Sequence, residues 1–431
     1  MEQETRTATA AAGGGGGFRA HSSVCFSGAL IDGPRIQQLL LHCAAALESN
    51  DVTLAQQAMW VLNNIASSQG DPNQRLTSWL LRALVARACR LCGAGAATTT
   101  QAAPAPPERA VSVTELAEYV DLTPWHRFGF TASNGAILRA VSGAAAVHVV
   151  DLGVTRCMQW PTLIDALSKR PGGPPALRIT VPSARPAVPP LLGVPDEELG
   201  VRLANFAKSK GVRLEFNVAV GTATTTTSPT PPPSSPPEKQ RPPCRDLASV
   251  LSDSDLALRD GEALVVNCQG WLRHVAPASR DAFLGAVRAL GPRLVTVTDE
   301  DADLDSPSLA SRIEGCLNFH WILLDALDTS APRDSPRRAE HEAAMGRKIE
   351  GVVGADDADG AERPESGARL AERMRRGGFA GVAFDEEAAG EVRRLLSEHA
   401  TGWGVKREED MLVLTWKGHG AVYTSAWTPN N

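Results

Sequence analysis

The pattern in this chain with the most capacity for chemistry is an aspartate and a glycine at the end of an apolar run. Val147-His148-Val149-Val150-Asp151 stops at Leu152-Gly153. The run is too short for a helix and too apolar for a solvated strand, so it reads as a buried strand of a parallel sheet. In open α/β sheets such strand ends are where ligands bind. A nucleotide-type cofactor there needs several glycines, so that backbone can approach it. It also needs an acid at the end of the next strand to hold ribose hydroxyls. Here Val154, Thr155 and Arg156 follow Gly153, and the next strand runs out into Pro182-Ser183-Ala184-Arg185. Both devices are missing. Asp151 is therefore expected to cap its own turn, or to pair with Arg156 or a helix terminus.

The other reactive groupings are read structurally. Asp299-Glu300-Asp301 ends another strand, and with no identifiable partner it reads as a solvated acidic loop. Cys89 and Cys92 stand alone, whereas a zinc site needs four ligands, so no metal is expected. His42-Cys43 and His148 fall on apolar faces and read as core residues. No Gly-x-Ser-x-Gly elbow supports hydrolase chemistry. Cations gather late in the chain, at Arg333, Arg337, Arg338, Arg347 and Lys348, and again at Arg373, Arg375 and Arg376. Glutamates interleave them, which favours a solvated surface, with a phosphate-binding face as the functional alternative.

These groups need a scaffold, and the chain is long enough to provide one. Its 431 residues can bury one large core or two modest ones. A net charge of −6 argues against a uniformly basic nucleic-acid binder. The eight cysteines lie mostly in apolar runs (Cys43, Cys268, Cys316), as free thiols of an intracellular protein do. No apolar run is long enough to span a bilayer, and no secretory signal order is expected at the start.

Residues 1–30 read as a disordered tail. Helical periodicity follows from Pro34 in three helices, whose leucines are expected to pack internally rather than form a partner-binding stripe. Residues 93–109 and 221–243 read as low-complexity inserts. Helices resume at Val113–Tyr119 and Ser133–Val141. Strands then alternate with helices: strands at Val147–Leu152, Leu177–Val181, Val212–Val218, Ala263–Asn267 and Arg293–Thr298. A helix over Ser308–Leu327 precedes a charged, weakly hydrophobic stretch to about Gly367. Helices at Arg369–Arg376 and Asp385–His399 lead to a terminal hairpin, Met411–Trp427. The expected fold is α/β: a Rossmann-like, mostly parallel sheet with a C-terminal antiparallel hairpin, close to the class I methyltransferase plan. A helical cap over 31–142 precedes this core over 143–428.

Several motifs together resemble one family. Val147-His148-Val149-Val150-Asp151, with Gln159-Trp160-Pro161 and Arg170-Pro171-Gly172-Gly173 behind it, resembles the VHIID motif of plant GRAS proteins. Leu40-Leu41-His42-Cys43-Ala44 and Gly70-Asp71 resemble the first leucine-rich region. Trp403-Gly404, Leu414-Thr415-Trp416-Lys417 and Ser425-Ala426-Trp427 resemble the SAW motif. Thr123-Pro124-Trp125-His126-Arg127-Phe128 points to a SCARECROW-like member. The PFYRE region is loose, with Pro307, Phe319-His320-Trp321 and Arg347-Lys348-Ile349-Glu350 in its place. The resemblance spans 31–428. It implies a nuclear transcription regulator that is not an enzyme and uses no cofactor. Its implied partners are other transcription factors, a second GRAS chain in a homo- or heterodimer and, through Arg333, Arg337, Arg338, Arg347 and Lys348, DNA, with no membrane. Trp403, Trp416 and Trp427 are then expected to pack the terminal hairpin on the last helices. The alternative is an S-adenosylmethionine-dependent methyltransferase or a small-ligand sensor, against which the missing glycines and strand-two acid count.

Overall fold

The structure is a computed structural model, and it describes residues 33–92, 109–219, 256–354 and 362–430. The expected tail and the two inserts lie outside these residues, apart from Arg109.

Three antiparallel helices come first: α1 (Gly33–Glu48), α2 (Val52–Asn63) and α3 (Pro72–Leu91). Asp71 starts α3 with a capping box. Its carboxylate accepts from the Gln74 N–H, the Gln74 side chain accepts from the Asp71 N–H, and Pro72 lacks the N–H that a first turn cannot use. The periodic leucines of these helices (Leu40, Leu47, Leu62, Leu76, Leu80, Leu84) are buried, as internal packing requires. Two side chains expected on these apolar faces point out instead. His42 is exposed beside buried Cys43, and Val61 is 39 % exposed.

Helix α4 (Val113–Asp121) and a long α5 (Trp125–Ala140) lead into the sheet. Helix α5 begins eight residues before the expected Ser133, at the Trp125-His126 pair. Strands and helices then alternate: β1 (Ala146–Asp151), α6 (Trp160–Ser168), β2 (Ala176–Pro182), α7 (Asp196–Ser209), β3 (Leu214–Ala219), β4 (Ala263–Gln269), α8 (Arg280–Ala289) and β5 (Leu294–Glu300). The sheet order is β3-β2-β1-β4-β5, all parallel. The chain therefore reverses direction across the sheet between β1 and β4. That is the switch point where open α/β folds form a crevice.

Next come α9 (Leu309–Ser330), α10 (Pro336–Gly354) and α11 (Gly367–Arg376), then β6 (Phe379–Gly381) and α12 (Glu386–Ser397). Three antiparallel strands close the sheet: β7 (Trp403–Glu408), β8 (Met411–Trp416) and β9 (His419–Pro429), with β9 against β5. The expected hairpin is thus a three-stranded unit, with short β6 pairing the far end of β9.

The segment read only as a charged, weakly hydrophobic stretch contains helix α10. His341, Met345, Ile349, Val352 and Val353 form its buried stripe, while Arg338 and Glu342 pair at i, i+4. It packs on α3, where a Cβ on Gly346 would come within 2.3 Å of the Trp79 ring. The helical cap is consequently not contiguous in sequence. Helices α9 and α10 join α1–α3, whereas α5, expected in the cap, lies on the sheet against β5 and β9.

Alternation along the strands separates two cores. Val147, Val149, Leu412, Leu414 and Trp416 face the cap side. Val150, Val266, Tyr423 and Trp427 face α8 and α11. The three terminal tryptophans divide in the same way. Trp416 is buried and its Nε1–H donates to Asp325 Oδ2 of α9 at 2.6 Å, with half-buried Trp403 packed on its ring. Trp427 lies on the opposite face and donates to Ser425 Oγ.

Candidate functional site

Two polar assemblies occupy the carboxyl edge of the sheet at the switch point. The first is built on Asp151. Its Oδ1 accepts from the Gly153 N–H (2.8 Å) and Asn267 Nδ2 (3.2 Å), and its Oδ2 accepts from Trp160 Nε1 (2.8 Å). Asn267 Nδ2 also donates to Gln159 Oε1, and Gln159 Nε2 donates to Asn134 Oδ1 at 2.9 Å. Thr296 donates to Asn267 Oδ1, and Asn134 Nδ2 donates to Thr162. The chain of bonds ties β1, β4, β5, α5 and α6 together. Burial pushes the Asp151 carboxyl up from the usual aspartate range, against the Arg185 charge and the bonds from Trp160, Asn267 and Gly153.

This assembly engages the polar side chains at the β1 strand end with one another. A Cβ at Gly153 would meet Asp151 Oδ1 at 2.8 Å, so the single glycine serves the aspartate, not an approaching ligand. Asp151 does cap its own turn as expected. Its helix partner is the Trp160 indole, not Arg156, which instead pairs with Asp196 of α7 at 2.8 Å. His148, buried with Nε2 against Thr180 Oγ1 at 2.8 Å, is a core residue as expected. Gln159 and Trp160, singled out with it, are partners in the same network.

The second assembly contradicts the reading of Asp299-Glu300-Asp301 as a solvated loop. Asp299 and Glu300 are 3 % and 4 % exposed. Arg273, from the turn after β4, reaches Asp299 at 2.5 Å and Glu300 at 2.9 Å. Lys348 of α10 reaches Glu300 at 2.5 Å and Glu362 at 3.3 Å. Burial by itself would push the Glu300 carboxyl up, but the Arg273 and Lys348 charges outweigh it and hold that carboxyl well below its usual range. Burial wins at Asp299, which is raised in spite of Arg273. The sequence signal for this cluster was two acids at a strand end. Its partners come from positions 273, 348 and 362, which only the fold brings together.

These charges line a cavity of about 100 Å³ between the sheet edge and helices α4, α5, α9 and α10. Its apolar wall is Val120, Trp125, Phe319, Leu323 and Met345. His341 closes one side, stacked on Tyr119 with ring centroids 3.7 Å apart. Burial lowers His320 and His341 to about 4, so both are neutral at physiological pH.

The five cations expected to face DNA do not form one exposed surface. Lys348 points into the cavity wall. Arg338 is 3 % exposed and is paired with Asp328 and Glu342. Arg337 is held by Glu115, Glu118 and Glu340. Arg347 is half-buried, and exposed Arg333 donates to the Gln69 carbonyl. Cys89 and Cys92 are free thiols at the end of α3, and among the described residues no group of three metal-ligating side chains occurs. No described helix is long and apolar enough to cross a membrane.

Comparison with known proteins agrees with this architecture. The model of the GRAS domain family matches residues 36–231 and 243–428. Scarecrow-like protein 32 of Arabidopsis thaliana is 42 % identical over 410 residues, which cover 92 % of this chain and 94 % of that protein. Scarecrow-like transcription factor PAT1 of Arabidopsis thaliana is 28 % identical, over 90 % of this chain and 75 % of that protein. The crystal structure of SCL7 in Oryza sativa superposes with a TM-score of 0.71 at 26 % identity, covering 91 % of this chain and 99 % of that one.

Proposed function

The chain belongs to the GRAS domain family, and from that premise we propose that it is a nuclear transcription regulator that works by assembling protein partners and not by catalysis. The observation that carries the non-enzyme reading is the Asp151 assembly. The strand end that a nucleotide cofactor would use is occupied by the chain's own Trp160, Asn267 and Gln159. The acid at the end of the second strand is replaced by Pro182.

The assembly reading rests on the cap. Of the six large apolar side chains exposed among the described residues, four lie on α2 and α3: Trp60 (72 % exposed), Val61, Val85 and Leu91. An indole exposed to that degree is the kind of anchor that interfaces bury. The partners of this reading are other transcription factors and a second GRAS chain. DNA is reached chiefly through such partners, because Arg337, Arg338 and Lys348 are already neutralised by carboxylates.

Reporter transcription with the chain tethered to an unrelated DNA-binding domain tests the reading. A Trp60→Asp, Leu91→Asp variant should keep its fold and lose most of the reporter response. Calorimetry with S-adenosylmethionine tests the methyltransferase alternative. Tight, saturable binding that Asp151→Ala abolishes would overturn the non-enzyme reading. A mobility shift with promoter DNA tests direct contact. A steep salt dependence that neutralising Arg333 and Arg347 flattens would restore those residues as a DNA face.

A further inference from the structure

We propose that the cavity between the cap and the carboxyl ends of β4 and β5 is a binding site for a small uncharged molecule with an apolar ring or chain and a polar head of the amide or hydroxy-carbonyl kind. The proposal starts from polar atoms that the protein leaves without partners. Gln269 Nε2, Arg273 Nε, His274 Nε2 and His320 Nε2 are buried and find no hydrogen-bond partner among the described residues, and neither does Glu300 Oε2. All five belong to residues lining the one cavity. Gln269, Glu300 and His320 are each at least nine-tenths buried. Buried polar groups of a folded protein are almost always paired, so five orphans among the side chains that line one cavity need an explanation.

The chemistry of the orphans selects the head. Gln269 and Arg273 offer N–H donors, and the two imidazoles offer one more each in the Nε2–H tautomer. Glu300 Oε2 is the one orphaned acceptor. A matching head therefore presents carbonyl or hydroxyl oxygen to several donors and returns one donor to Glu300. Charge selects against ions. Asp299, Glu300 and Glu362 already surround Arg273 and Lys348. An added carboxylate would meet a wall with one acid in excess, and an added ammonium would have to lose its own water for carboxylates that Arg273 and Lys348 already hold. The wall of Val120, Trp125, Phe319, Leu323 and Met345 selects an apolar body, the usual combination of lining and convergent polar groups at a ligand site. Water alone would satisfy the orphans but would gain nothing from that wall.

Methyl-resolved NMR of the full chain, titrated with four probes on one ring, tests this. The probes are benzamide, benzoate, benzylammonium and toluene, and the reporters are the methyls of Met345, Leu323 and Val422. Benzamide should shift these methyls saturably in the millimolar range, with the other three at least about tenfold weaker, the penalty for an unpaired or charged head. Gln269→Leu should weaken benzamide by at least about tenfold and leave toluene unchanged. Ala344→Phe, which fills the cavity from α10, should abolish all binding while leaving the methyls of Val147 and Val149 in place. The site is refuted if none of the four probes shifts these methyls. Benzoate or benzylammonium binding more tightly than benzamide refutes the uncharged ligand class. Benzamide binding that survives both substitutions refutes the location.

Discussion

The Asp151 assembly and the Arg273–Lys348 cavity lie side by side at the carboxyl edge of one sheet, yet they are built on opposite principles. In the first, the side-chain donors and acceptors of Asp151, Asn267 and Gln159 meet a partner, without ion pairs inside the network. In the second, three carboxylates and two cations are buried together, and five polar atoms have no partner. Asn267 serves the first and Gln269, two residues along β4 on the same face, lines the second. The difference teaches where to look for function in a fold that has lost its cofactor turn. A closed network holds elements together, and an open one can still recognise something.

Measurements of stability can break or sharpen this contrast. The largest effect is expected from Arg273→Met, which strands Asp299 and leaves Glu300 to Lys348 alone. Urea unfolding should show a loss of about 3–5 kcal/mol, the cost of removing one partner from a buried ion cluster. A neutral result would mean that water already screens the cavity. Asp151→Asn comes next. An amide keeps the shape but has a single acceptor oxygen, so Trp160 or Gly153 loses its partner and about 1–3 kcal/mol should go.

The third concerns pH. His148, in the core beneath the sheet edge, and His320 at the cavity are both lowered by burial from 6.5 to about 4. Between those values the unfolded chain takes up protons that the folded chain refuses. Stability is therefore full above pH 6.5 and falls as the pH drops towards 4, by up to about 1.4 kcal/mol per pH unit for each histidine. His320→Phe should flatten the profile of unfolding midpoint against pH by that increment. An unchanged slope would show that His320 is hydrated and protonates freely. The smallest effect is expected from Gln269→Leu, where the orphaned amide gives way to carbon. Stability should change by no more than about 0.5 kcal/mol, or rise. A loss as large as that of Asp151→Asn would erase the distinction between the two regions.

Much of the fold was legible because apolar periodicity is local. The five parallel strands, the leucine-rich helices and the terminal antiparallel unit each carry their pattern within a dozen residues. Helix α10 was missed because arginines, lysine and glutamates occupy much of its sequence and lower its mean hydropathy. Its buried stripe of Met345, Ile349, Val352 and Val353 was nevertheless there to be read. The terminal strands β6 and β7 were missed because β6 has three residues and β7 is a half-exposed edge.

The sequence by itself determined the class of fold, the family, and the loss of the glycines at the β1 turn, because each is written in adjacent residues. Only the tertiary structure decided what became of the charged groups. Asp299 and Glu300 are separated from Lys348 and Glu362 by about fifty to sixty residues, and nothing local to either segment announces the other. The same packing turned Arg338 and Lys348, two of the five late cations, inward and made the cap from both halves of the chain. Charge pairing depends on which helix the fold lays across which strand end, and that is settled by burial of apolar faces far from the charges themselves.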